Sequence, residues 1–117
     1  MMTQEIKGED YNVYYDPETL TVYFQGELSL GGPTEYAPIA QLLEQVMAQT
    51  PSSLTLNLTQ LEFLNSSGIS LISKFIIGLR KKPPIPVVVL GSYDIPWQGK
   101  SLKNLEKLLP GLQLQLI

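Results

Sequence analysis

The alternation of apolar patterns along the chain predicts an α/β domain. It has a mixed, mostly parallel sheet opened by a β-hairpin, with about three main helices in the order ββαβαβαβ. Three observations carry this. Two aromatic and β-branched runs, Tyr11 to Tyr15 and Leu20 to Leu30, flank the turn residues Asp16-Pro17-Glu18-Thr19, which is how a hairpin reads. Three later segments repeat their apolar residues at helical spacing. A strand-like run follows each of them, and helices alternating with strands imply right-handed crossovers within one sheet.

The elements follow in order. Gly31-Gly32-Pro33 breaks the second strand, and Thr34 is placed to cap a helix running to about Gln49, with Ile39, Leu42, Leu43, Val46 and Met47 on its apolar face. Pro51-Ser52-Ser53 turns the chain. Leu54, Leu56 and Leu58 alternate with Thr55, Asn57 and Thr59 as a third strand, and a loop is expected from Thr59 to Ser67. Asn65-Ser66-Ser67-Gly68 suits a helix start. The helix predicted from about Ser67 to Arg80 is apolar around most of its circumference, which implies burial against a sheet. Lys81-Lys82-Pro83-Pro84 stops it. Ile85 to Leu90 is a continuous apolar run, expected of a central strand covered on both faces. Gly91 to Gln98 reads as a loop and Gly99 to Leu109 as a helix. Pro110-Gly111 ends that helix, and Leu112 to Ile117 is the last strand. One domain is expected over residues 1–117, with residues 1–10 a flexible N-terminal segment.

Composition bounds the chemistry. Of the 117 residues, 44% are hydrophobic and 16% charged, so the chain can bury a core without disulfide or metal staples. The net charge of −3 argues against sequence-independent nucleic-acid binding, which needs a basic face to displace counterions. Cysteine and histidine are both absent. That removes disulfides, thiolate nucleophiles, zinc sites built on either residue and a Ser-His-Asp triad. No catalytic constellation can be assembled from what remains, so the expectation is a non-enzyme without cofactor or metal. The longest apolar stretch, Ile69 to Leu79, is interrupted by Ser70, Ser73, Lys74 and Gly78, and it is shorter than the roughly 20 residues a spanning helix needs. No signal-peptide pattern precedes it. The expectation is a soluble, cytoplasmic protein without membrane insertion.

The segment LTLNLTQLEFLNSSGISLISKFI, preceded by Gly26-Glu27-Leu28 and followed by the VVVLG strand at Val87 to Gly91 and a Leu-rich third helix, resembles the STAS domains, and among them the bacterial anti-sigma-factor antagonists. The resemblance runs from about Tyr11 to Ile117. It implies a non-enzymatic signalling module that binds an anti-sigma factor or a GHKL-type serine kinase. It also implies a switch in transcription regulation, in which phosphorylation of the second serine of the pair releases the partner. That serine is Ser67, with Ser66 the second choice. Two departures stand out. Asn57-Leu58-Thr59 occupies the place of an Asp-x-Ser element, and Asn65 the place of the aspartate in Asp-Ser-Ser-Gly. Asparagine keeps the shape and an acceptor oxygen but loses the charge, which weakens the implied phosphorylation.

An N-cap role alone accounts for Asn65 and Ser66, at about 1 kcal/mol. A phosphate on Ser67 would add a charge of about −1.5 to −2 at a helix start that stabilises it. The partner surface is expected at Asn57, Thr59, Asn65, Ser66 and Gly68, together with Trp97 from the loop after the VVVLG strand. The absent side chain of Gly68 leaves space that a partner or nucleotide could use. Arg80-Lys81-Lys82 reads as solvated charge at a helix C-terminus. Two other functions stay open. One is a non-phosphorylated subunit of a larger signalling or transporter-accessory complex. The other is a small-ligand or nucleotide-binding domain that uses the Ser67 helix start.

Overall fold

The structure is a computed structural model and describes residues 4–117. Six strands form one sheet whose spatial order follows the sequence: β1 (Glu5–Lys7), β2 (Tyr11–Asp16), β3 (Thr21–Leu28), β4 (Leu54–Leu64), β5 (Val87–Gly91) and β6 (Gln113–Leu116). Pairing is antiparallel from β1 to β3 and parallel from β3 to β6. The helices α1 (Pro33–Ala48), α2 (Ser66–Gly78) and α3 (Gln98–Glu106) are the three crossovers. Each crossover steps the same way along the sheet, so right-handed connections put all three helices on one face.

That face is the core. Val13 and Tyr15 of β2, Val22 and Phe24 of β3, Leu54, Leu56 and Leu58 of β4, and Val87 and Val89 of β5 point into it. They pack against Ile39, Leu42, Leu43 and Val46 of α1, Ile72 and Ile76 of α2, and Leu102 and Leu105 of α3. The alternate residues form an open face, where Tyr14 and Tyr23 stack with ring centroids 4.8 Å apart. The two tyrosines are cross-strand partners.

Four expectations are corrected. First, Glu5–Lys7 lies in a strand rather than in the flexible segment expected for residues 1–10. Pairing with it satisfies the backbone of β2, and Ile6 packs on the core. Residues 1–3 of that segment lie outside the described residues. Second, Thr34 does not cap α1. The cap position is Gly32, whose φ of 98° favours glycine, and Pro33 then opens the helix with its φ already set. Third, β5 is buried on one face only: Val87 and Val89 are enclosed, while Val88 and Leu90 are half-exposed on the open face. An unbroken apolar run does not reveal that sequential crossovers leave one face without helices. Fourth, Thr59 to Leu64 is not loop, because β4 continues through it to Leu64.

This last difference decides the geometry of the carboxyl edge. β4 pairs with β5 only from Leu54 to Asn57, and then runs on beside β3 alone. Two register shifts against β3, between Tyr23 and Gln25 and between Gly26 and Glu27, insert extra residues into β4, as β-bulges do. Asn57 Oδ1 holds the first of them, accepting from Thr59 N at 3.0 Å and from Thr59 Oγ1 at 2.7 Å. Where β5 has ended, the start of α3 takes over its hydrogen bonds. Gln98 is fully buried. Its Nε2 donates to the carbonyls of Leu58 (2.6 Å) and Leu61 (3.0 Å), while its Oε1 accepts from Ser92 N at 2.7 Å. Trp97 Nε1 donates to the Glu62 carbonyl at 2.9 Å.

Gln98→Ala would leave two carbonyls and one N–H buried without partners, at about 1–3 kcal/mol for each group left unsatisfied. Urea denaturation should show a loss of roughly 3 kcal/mol or more. Lys103→Ala, on the exposed side of the same helix, should stay within about 0.5 kcal/mol of the parent. Equal midpoints for the two variants would remove Gln98 from this role.

Candidate functional site

The carboxyl ends of β3 and β4 deliver the chain to the start of α2, and Asn65 organises that junction. It is the N-cap of α2, with extended backbone (φ −78°, ψ 175°), and its Oδ1 accepts from Gly68 N at 2.9 Å. The same oxygen accepts from the Tyr36 hydroxyl at 2.7 Å. Its Nδ2 donates to the Leu30 carbonyl at 2.8 Å, and its backbone N–H donates to Leu28 O at 3.0 Å. One side chain therefore joins the exit of β3, the first turn of α1 and the first turn of α2. Both ends of the amide are used, so the donor end is needed as much as the acceptor.

Tyr36 is buried at 1% exposure. Burial pushes its phenol above the usual value; a hydrogen bond with the Leu30 backbone opposes this, and the nearby Tyr11 adds to the rise. The neutral phenol is the form that donates to Asn65. Its contribution to stability is complete below the ordinary phenol range near 10 and is lost as pH rises through the elevated value.

The four expected residues of the motif are placed differently from one another. Ser66 is exposed, Ser67 half-buried and Gly68 buried. A Cβ on Gly68 would meet Leu64 Cδ1 at 2.3 Å and the Tyr36 hydroxyl at 2.7 Å. The close approach that this glycine permits is therefore made by the chain itself, and no space is left above it for a partner or nucleotide. Of the N–H groups that open α2, Gly68's goes to Asn65 Oδ1 and Ile69's to the Asn65 carbonyl. The N–H groups of Ser66 and Ser67 stand at the free end of the helix, as the first turn requires. Ser67 also borders a groove of about 390 Å³ between α1 and α2, alongside Tyr36, Ala40, Ser70 and Leu71, with Glu44 and Lys74 among its charged lining.

Asn57 and Thr59 are not part of this junction. Their paired side chains belong to the bulge in β4 on the open face, opposite the helices. Trp97 lies at the carboxyl edge, half-buried against the core, and its indole N–H is committed to Glu62. The sequence reading missed Tyr36 and Gln98. Tyr36 stands three residues before Ile39 and seven before Leu43, a spacing that marks it as core-facing, but nothing in that pattern reports its bond to Asn65. Gln98 carries no sequence signal. Among the described residues, no group of three or more His, Cys, Asp or Glu could hold a metal ion, and no helix is long and apolar enough to cross a membrane.

No protein-family model matches the chain, and neither does any curated protein. Solved structures do. A chain from the complex of the diguanylate cyclase SiaD with its activator SiaC, from Pseudomonas aeruginosa, matches with a TM-score of 0.73 at 14% identity, over 98% of this chain and 100% of that one. SiaC of Pseudomonas aeruginosa matches with a TM-score of 0.72 at 16% identity, over the whole of both chains. An anti-sigma factor antagonist from Mycobacterium paratuberculosis matches with a TM-score of 0.59 at 21% identity, over 96% of this chain and 84% of that one. The chain has the α/β fold of these proteins, the STAS-type fold expected from the sequence.

Two substitutions test the junction. Asn65→Asp keeps the acceptor but sets a carboxylate oxygen against the Leu30 carbonyl, and should cost about 1–3 kcal/mol at neutral pH. Protonation restores a donor, so the folded state raises the pKa of the introduced carboxyl. The deficit against the parent should shrink as pH falls through that raised value, towards the ordinary range near 4. Gly68→Ala should cost about 1–3 kcal/mol through overpacking. Thermal melts of both variants across pH would check these signs, and a pH-independent Asn65→Asp deficit would contradict the assigned role of Nδ2.

Proposed function

We propose that this chain is a regulatory protein-interaction module that docks an anti-sigma factor or GHKL-type serine kinase at its carboxyl edge, and that phosphorylation of Ser67 switches the contact. The observation that carries the reading is the Asn65-capped start of α2. It holds Ser67 at the second helical position, half-exposed beside the α1–α2 groove. The shared fold supports it, since one structure with this fold is an anti-sigma factor antagonist and another, SiaC, is the activator of a diguanylate cyclase. Both are partner-binding proteins by name, which also favours a non-enzyme.

The physics of such a switch is local. A phosphate at Ser67 is received by the helix dipole and the free N–H groups of the first turn, so α2 need not melt. It adds about two negative charges to an edge that already carries Glu27, Glu35 and Glu62. A partner surface shaped for a neutral hydroxyl then meets a solvated dianion, and desolvation opposes docking.

One observation favours a second reading, a constitutive binding subunit without phosphorylation. The amide of Asn65 donates to Leu30 O, a bond that an ionised aspartate in its place cannot make. In this chain the residue is committed to holding the edge together, and position 65 supplies no carboxylate to orient the Ser67 hydroxyl.

Intact-mass analysis of the protein from its native cells separates the readings, the switch requiring a phosphorylated fraction that maps to Ser67. With the partner recovered by cross-linking from those cells, Ser67→Ala should bind as the parent does. Ser67→Asp should bind about tenfold more weakly, equivalent to ~1.4 kcal/mol. An unmodified protein whose Ser67→Asp variant binds at parental affinity would leave the constitutive subunit as the function.

A further inference from the structure

Charge is divided along this chain to an unusual degree. Nine of its eleven acidic residues and only one of its eight basic residues precede residue 66. Because strand order follows sequence order, the division becomes spatial: β1–β3 and α1 form an acidic half, and β5, α3 and the end of α2 a basic half. The basic half holds a notch of about 470 Å³ where the chain leaves α2 and again where it leaves α3. Arg80, Lys82 and Lys107 rim it, over an apolar floor of Met47, Leu79 and Val87. Arg80 is fixed there, its Nε donating to the Leu108 carbonyl at 2.5 Å. The notch lies at the amino end of β5. At the other end of the sheet, on its other flank, a depression of about 460 Å³ is rimmed by Glu9, Asp10 and Glu27 beside Phe63. Phe63 is 46% exposed and is one of the few large apolar side chains turned to solvent.

We infer that the chain associates head to tail with further copies of itself, the basic notch of one copy receiving the acidic carboxyl flank of the next. Cations around an apolar floor face carboxylates around an exposed aromatic ring, so charge and hydrophobicity complement each other in one contact. The two surfaces differ and lie at opposite corners, which makes the contact heterologous. Each associated pair keeps one unused surface of each kind, and the products are rings or open filaments rather than two-fold dimers. A net charge of −3 offers little overall repulsion, and the attraction depends on ionic strength. The inference goes beyond the proposed function and requires no other protein. Its consequence for that function is that the acidic flank adjoins the edge assigned to the partner, so self-association would compete with partner binding.

Sedimentation velocity of the full chain tests this, as a concentration series at low and at high salt. The parent should sediment faster with rising concentration at low salt and lose that dependence at high salt. Lys82→Glu combined with Lys107→Glu leaves the Arg80 bond in place and should remain monomeric. Glu9→Lys combined with Glu27→Lys should remain monomeric too. An equimolar mixture of the two variants should regain association, because each reversed surface now meets its complement. Circular dichroism confirms that both variants are folded, all four positions being exposed. The inference is overturned by a parent that stays monomeric at every concentration, or by folded variants whose mixture does not associate. Association that persists in both variants also overturns it and assigns the contact to the uncharged β6 edge. A monomeric parent that binds heparin through the notch overturns it in favour of a polyanionic ligand.

Discussion

The carboxyl half of β4 sets the condition that the rest of this structure meets. The strand extends beyond β5, and its carbonyls at Leu58 and Leu61 would be buried, and that of Glu62 left at the rim, with no strand beside them. Buried carbonyls without partners are rare in folded proteins because each costs more than a kilocalorie. The chain answers with side chains instead of backbone. The amide of Gln98 and the indole of Trp97 stand in for the missing strand. The first turn of α3 is thereby fixed against the end of β4, and the stretch from Ser92 to Gln98 is tied down by Gln98 Oε1. The bulges let the longer β4 end level with β3, Leu64 opposite Leu28, so that it releases the chain next to Leu28 and Leu30.

Asn65 meets the chain at that release point. Its amide closes the junction between β3, α1 and α2 with one donor and one acceptor, and buried Tyr36 is the third member of the network. The network explains why the start of α2 is held still while Ser66 and Ser67 stay accessible: every constraint falls on the residue before them and the glycine after them. It also gives a physical meaning to asparagine at this position. The site is satisfied by an uncharged group that donates as well as accepts. In a partly buried network of this kind, exchanging a donor for a charge alters more than a cap.

Similarity to SiaC and to an anti-sigma factor antagonist at 14–21% identity shows how little of the fold depends on particular residues. It needs a hairpin, three crossovers of the same hand and apolar residues at alternate strand positions, and many sequences supply these. In this chain the fold carries an amide-based carboxyl edge, a half-exposed open face with its tyrosine stack, and a separation of acidic from basic residues across the sheet. The last follows from topology, because a sheet whose strands lie in sequence order turns any charge gradient along the chain into a gradient across the molecule.

The sequence by itself determined the element order from β2 onward, the hairpin, the three helices and the start of α2. Each of these depends on local periodicity or on turn chemistry within a few residues. Ile39, Leu42, Leu43 and Val46 announce their helix whatever surrounds them, and Asn65-Ser66-Ser67-Gly68 announces a helix start. Tertiary structure alone decided the rest. The edge strand Glu5–Lys7 exists because β2 offers it a ladder, and no pattern within those three residues requires it. Thr59 to Leu64 mixes polar with apolar residues, yet it remains strand because β3 pairs with it on one side and, on the other, Gln98 and Trp97, more than thirty residues later, satisfy its carbonyls at Leu61 and Glu62. Val88 and Leu90 face the open side because every crossover turns the same way. Asn65 reads as an N-cap in the sequence, but its bonds to Leu30 and Tyr36 span 35 and 29 residues. Contacts at such separations leave no periodic trace, since the pairing of donor with acceptor is fixed only once the sheet has brought them within 3 Å of each other.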